Sequence, residues 1–217
     1  MNIEQARFNM IEQQIRPWEV LDPRVLELLP QVPREDFVPP SQRKLAFADT
    51  EIPLGHGQVM MPPRLEARLL QVLDIQPSDT ILEIGTGSGY LTALLARSGQ
   101  HVYSVDIFAE FTASARQKLA AHGIGNVTLE TGNAACGWNQ HGTYDVIAVT
   151  GSLPLFADVF QQQLNVGGRL FMIVGQAPSM EALLITRVGS AEWTRESLFE
   201  TCVPALINAP QPQTFVL

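Results

Sequence analysis

The stretch Ile81-Leu82-Glu83-Ile84-Gly85-Thr86-Gly87-Ser88-Gly89-Tyr90 decides the fold. An apolar run ends at Glu83-Ile84, and three glycines at alternate positions lead into the helical pattern of Tyr90 to Arg97. Glycines at such a turn permit positive φ and let the backbone approach a ligand closely. The spacing departs from the GxGxxG of dinucleotide sites. The third glycine comes one residue early, and Tyr90 takes the next place.

Outward from this turn, strand and helix patterns alternate. Strands are expected at Thr80 to Ile84, His101 to Val105, Val127 to Thr131, Tyr144 to Thr150 and Arg169 to Val174. Helices are expected at Leu65 to Leu73, Tyr90 to Arg97, Phe108 to His122 and Pro154 to Leu164, with Gly167-Gly168 as a turn. This order predicts an α/β, Rossmann-like fold on a mostly parallel sheet. Ala182 to Val188 and Glu192 to Cys202 have no helix between them, so they predict an antiparallel C-terminal edge.

Three further elements converge on the glycine turn. Asp106 ends the second strand about 20 residues on, where an acid can accept hydrogen bonds from both ribose hydroxyls. Asn133 and Ala134, in Thr131-Gly-Asn-Ala134, would meet an adenine edge, and Thr150 would lie beside the reacting group. A ligand with an amino acid, a ribose and a sulfonium suits this set better than one with a pyrophosphate. S-adenosyl-L-methionine is therefore the expected cofactor and methyl transfer the expected chemistry. Glu83 would reach its amino group, directly or through water. Gly85, Thr86, Gly87, Ser88, Gly89, Asp106, Ile107, Asn133, Ala134 and Thr150 complete the candidate cofactor site.

The 217 residues suffice for one large core, and a single domain over 1–217 is expected, with an N-terminal helical and loop segment over 1–63 and the core over 64–217. In the first segment Phe8, Ile11 and Ile15 share a helical face, and Asp22-Pro23 starts a second helix from Arg24 to Leu29. The glycines and prolines of Pro53 to Pro63 predict irregular structure. A net charge of −8 argues against nucleic acid. No apolar run approaches the roughly 20 residues of a membrane span. The N-terminus has no apolar signal region, and two cysteines, Cys136 and Cys202, form no disulfide framework or metal motif. A cytoplasmic monomer without metal is expected, with Cys136 and Trp138 packed against the sheet.

With these residues in view, the chain resembles the protein-L-isoaspartate O-methyltransferase family. Met10-Ile-Glu-Gln-Gln-Ile-Arg-Pro17, Val32-Pro-Arg-Glu-Asp-Phe-Val-Pro39, Ala46-Phe-Ala-Asp49 and Ile52-Pro-Leu-Gly-His-Gly-Gln58 carry the resemblance. Leu82 to Tyr90, Val102-Tyr-Ser-Val105, Tyr144-Asp145 and Val203-Pro204, similar to the family's terminal strand, extend it over nearly the whole chain. It implies methylation of the α-carboxylate of isoaspartyl residues in damaged proteins or peptides. It also implies a substrate site on the loop Gly55 to Pro63, with His56, Gln58 and Met61 as candidate catalytic residues. Met61 stands where the family has a serine, Val59 where it has a threonine, and Asn133 where it has an aspartate. Neither Met61 nor Val59 can donate a hydrogen bond to a carboxylate. Two alternatives therefore stay open: a methyltransferase for another, less polar substrate, and a cofactor-binding protein whose catalysis is weak or lost. For His56 the alternative is a loop histidine bonded to backbone.

Overall fold

In the computed structural model the described residues are 2–212, so both ends of the expected 1–217 span fall outside them. Helices α1 (Ile3–Met10) and α2 (Pro23–Leu28) are followed by strands β1 (Ile52–Gly55) and β2 (Gln58–Met60) and helix α3 (Pro63–Leu73). The core then runs β3 (Thr80–Ile84), α4 (Tyr90–Ser98), β4 (His101–Asp106), α5 (Ala109–Ala121), β5 (Val127–Thr131), β6 (Tyr144–Leu153), α6 (Asp158–Gln162), β7 (Leu164–Gln176), β8 (Ser179–Gly189) and β9 (Glu192–Thr201).

The seven core strands form one sheet in the order β5-β4-β3-β6-β7-β8-β9. The first five are parallel; β8 and β9 are antiparallel. Both faces of the sheet are covered, which is why its central strands are continuously apolar. Along β3 and β6 the side chains alternate between two buried clusters. Ile81, Val146 and Ala148 face α3, α4 and the N-terminal helices; Leu82, Ile84, Ile147 and Val149 face Phe160 of α6. The chain winds outward from β3 to β5 and returns to β6 on the other side of β3. Such a switch point opens a crevice at the carboxyl ends of the central strands.

Several expectations are corrected. Pro53 to Pro63 is not irregular: β1 and β2 pair antiparallel, Ile52 with Met60 and Pro53 with Val59. His56 and Gly57 both take positive φ, 53° and 71°, as a tight hairpin turn requires. The helix expected from Pro154 to Leu164 shrinks to α6: β6 runs on past Thr150 to Leu153, and a bend at 154–155 and an irregular link at 156–157 follow it. The Ser152 N–H donates to the Pro204 carbonyl at 3.0 Å, and the Leu206 N–H to the Ser152 carbonyl at 2.9 Å. The Val203-Pro204 region contributes only this isolated bridge, not a strand. Gly167-Gly168 lies within β7, in a bulge between the Tyr144–Leu164 and Val146–Arg169 pairs. Ile11 and Ile15 are buried, but Phe8 is 58% exposed. The helix widens to a π-turn over Ile11–Ile15, which rotates the buried row away from Phe8. Cys136 is exposed rather than packed on the sheet, while Trp138 is half-buried.

Candidate active site

A cavity of about 860 Å³, its open mouth included, occupies the crevice at the ends of β3, β4 and β6. Of the expected residues, Gly85, Thr86, Gly87, Ser88, Asp106, Ile107, Asn133, Ala134 and Thr150 line it, together with Gln58 and Met61 from the hairpin side. Glu83, Gly89 and His56 do not.

The glycine turn is held from several directions. Thr150 Oγ1 donates to the carbonyls of Ile84 and Gly85, each at 2.9 Å. A Cβ on Gly85 would collide with that hydroxyl, so this position needs glycine for close approach. Asp106 Oδ2 accepts the Gly87 N–H at 2.8 Å, and Oδ1 accepts the Phe108 N–H at 2.9 Å. Burial raises the Asp106 carboxyl, and these backbone donors counter the rise. Each oxygen keeps a lone pair for a ligand hydroxyl. Asn133 Oδ1 accepts the Ala135 N–H at 3.2 Å, closing a turn that presents the 133–134 backbone to the cavity.

Glu83 sits behind the turn, 0% exposed. Its Oε2 accepts from Thr92 Oγ1 and Ser104 Oγ at 2.5 Å each, and Ser104 Oγ lies 2.6 Å from Thr86 Oγ1. Among the described residues its Oε1 has no partner. Burial pushes the carboxyl up to about 8, with the nearby charges of Asp106 and Glu66 adding to the rise.

His56, at the hairpin tip, stacks on Phe108 with ring centroids 4.1 Å apart and lies 4.0 Å from a Glu110 carboxylate oxygen. It braces the hairpin against the start of α5 through the ring, not through a backbone bond.

One wall residue was missed from the sequence. Glu66 lies on the buried face of α3 yet reaches the cavity. Its signal was an acid in the apolar stripe, three and four residues before Leu69 and Leu70. Arg34, fully buried, forms an ion pair with Glu66 Oε2. The same guanidinium donates to the Ala46 carbonyl at 2.9 Å and the Met61 carbonyl at 2.6 Å. Burial pushes the Glu66 carboxyl up to about 7 against the pull of Arg34. Leu54, Phe108, Phe111, Pro204 and Ile207 supply further apolar wall. Among the described residues, the lining holds two carboxylates, Glu66 and Asp106, and no lysine, arginine or histidine.

Comparison with known proteins agrees in sequence and shape. The family model Protein-L-isoaspartate(D-aspartate) O-methyltransferase matches residues 5–204. A relative named protein-L-isoaspartate O-methyltransferase 2, from Pelobacter propionicus, is 39% identical over 209 residues, covering 96% of this chain and 93% of its own. A protein-L-isoaspartate O-methyltransferase of Rhodopseudomonas palustris is 38% identical over 201 residues, covering 92% of each chain. A Plasmodium falciparum structure, assigned as a protein-L-isoaspartate O-methyltransferase in complex with S-adenosyl-L-homocysteine, superimposes with a TM-score of 0.79. It covers 95% of this chain and 98% of that one at 18% identity, a likeness of fold.

Proposed function

Because this chain belongs to the protein-L-isoaspartate(D-aspartate) O-methyltransferase family, we propose that it transfers a methyl group from S-adenosyl-L-methionine to the α-carboxylate of isoaspartyl residues in damaged proteins. The observation that carries this reading is the shared cavity. It joins the glycine turn, Asp106 and Asn133 to the hairpin residues Gln58 and Met61. The donor set fits the cofactor. Among the described residues the wall has two carboxylates and no basic side chain, which suits a cationic sulfonium and ammonium and gives a pyrophosphate no charged partner.

When bound, S-adenosyl-L-methionine supplies a methyl carbon made electrophilic by its positive sulfur. In this reading Asp106 accepts the ribose hydroxyls, and the Asn133-Ala134 segment meets the adenine. Thr150 braces the turn. No side chain needs to remove a proton, since a carboxylic acid of ordinary pKa near 4 is already ionised at neutral pH. The residues instead position the acceptor oxygen in line with the methyl group and exclude water. Met60 and Met61 are both buried on the wall and keep that region dry. The Gln58 amide is the hairpin's polar group at the cavity and would donate to the substrate carboxylate.

We read residues 1–217 as one methyltransferase domain in which 1–63 brings the substrate hairpin and 64–217 the cofactor core. It would act as a cytoplasmic monomer without nucleic-acid or membrane partners. The charge of −8 argues against a nucleic-acid partner, and among the described residues no helix is long and apolar enough to cross a membrane.

The test is methylation of matched isoaspartyl and aspartyl peptides with methyl-labelled cofactor. Base-labile label on the isoaspartyl peptide alone supports the reading. Transfer to neither peptide, while S-adenosyl-L-homocysteine still binds, would overturn it. The apolar Val59-Met60-Met61 wall favours a less polar acceptor as the second reading in that event.

A further inference from the structure

Resting on the reading that this cavity holds S-adenosyl-L-methionine, we infer that Glu66 receives the α-ammonium of the cofactor's amino-acid end, in place of Glu83. Glu83 is the penultimate residue of the strand before the glycine turn, where sequence reasoning puts the ammonium partner. The fold withdraws it: it is sealed behind the turn, both hydroxyl donors converge on its Oε2, and it forms no part of the cavity wall. Glu66 is on the wall. Arg34 pairs with its Oε2 and is itself absent from the lining, so among the described residues the wall takes in Glu66 and not the guanidinium.

The other wall carboxylate, Asp106, is tied to Gly87 and Phe108 and faces the adenosine half in this reading. Glu66 is tied through Arg34 to the Met61 carbonyl, on the side where the amino-acid half and the acceptor meet. A substrate carboxylate placed against Glu66 would add a like charge to a wall that holds no cation among the described residues. An ammonium there gains a charge-assisted hydrogen bond instead. The charge pattern thus assigns the Glu66 end to the cation.

The test is calorimetric binding at pH 8 of two ligands. S-adenosyl-L-homocysteine has the amino-acid end; 5′-methylthioadenosine shares its adenosine and sulfur but lacks that end. Glu66→Gln is expected to weaken S-adenosyl-L-homocysteine binding about 10- to 100-fold, the size of a hydrogen bond to a charged group. Binding of 5′-methylthioadenosine should stay within about twofold of wild type. Glu83→Gln should not discriminate between the ligands. If Glu66→Gln does not fold, Arg34→Met/Glu66→Met removes the pair without orphaning a buried charge, and the same selective loss is expected. Equal losses on both ligands, or no loss on S-adenosyl-L-homocysteine, would overturn the assignment. A wild type that binds neither ligand would instead bring down the cofactor reading on which it rests.

Discussion

Met61 couples a fixed backbone to a side chain of the wrong chemistry for a carboxylate. Its carbonyl accepts from buried Arg34 at 2.6 Å, and its side chain is 5% exposed on the cavity wall. A carboxylate beside it loses water and gains no donor. A serine hydroxyl at the same place would donate to a charged acceptor, worth about 1.5–3 kcal/mol. Because Arg34 holds the backbone, Met61→Ser with Val59→Thr should change the wall's chemistry and leave its position intact. The double variant is expected to raise kcat/KM on an isoaspartyl peptide about 10- to 100-fold. Shortening a buried methionine also costs stability, on the order of 2 kcal/mol, so the comparison belongs well below the variant's melting temperature. Unchanged kcat/KM in a folded double variant that binds S-adenosyl-L-homocysteine would mean that residue 61 does not meet the acceptor.

The turn between β3 and α4 shows at the element scale why the fold was legible. Three glycines in nine residues mark a strand-to-helix corner that few other residues can make, and one of them can be tested in isolation. Gly89 takes φ of 82°, and a Cβ there would lie 2.8 Å from the Ala115 Cβ of α5. Gly89→Ala should therefore combine backbone strain with a clash between helices and destabilise the protein by about 2–4 kcal/mol. Urea unfolding reads this directly, and a loss below 0.5 kcal/mol, roughly the size of an ordinary surface change, would show that α4 and α5 can separate at no cost. Other elements were readable for similar local reasons. The strands of the core are apolar runs between turns, and α3 carries its stripe at helical spacing. What stayed hidden depends on distant partners. Pro53 to Met60 reads as loop because its strands are short and rich in glycine and proline, yet pairing across the hairpin makes them strands. The strand expected to stop at Thr150 runs on to Leu153, because Pro204 and Leu206, some fifty residues later, hold Ser152 in it. The depth of Glu83 was equally unreadable, since Thr92 and Ser104 reach it from two other elements.

For the whole molecule, charge is placed unevenly: a surface excess that gives −8, and carboxyl groups sealed inside. Both make stability depend on pH, and one substitution separates them. Burial pushes the Glu83 carboxyl up to about 8, ahead of smaller contributions from Asp106 and Glu66, against an ordinary value of 4.5 in the unfolded chain. Below about 4.5 both states hold the proton, and the contribution of Glu83 to stability is complete. Between about 4.5 and 8 the unfolded chain releases a proton that the folded chain keeps, so stability falls as pH rises. The slope for one such proton is at most about 1.4 kcal/mol per pH unit. Above about 8 the contribution is lost. Self-repulsion of the surface acids acts in the same direction but is shared by every variant with the same surface. Glu83→Gln keeps the shape and an acceptor for Thr92 and Ser104 but has no proton to hold or release. Urea unfolding of both proteins at pH 5.5, 6.5 and 7.5 should give a wild-type stability that declines steadily. The variant should decline less, by up to about 1.4 kcal/mol for each pH unit. Parallel lines for the two proteins would place the pH dependence on groups that both share, the surface acids and the buried Glu66 carboxyl, and show that Glu83 is ionised in the folded chain.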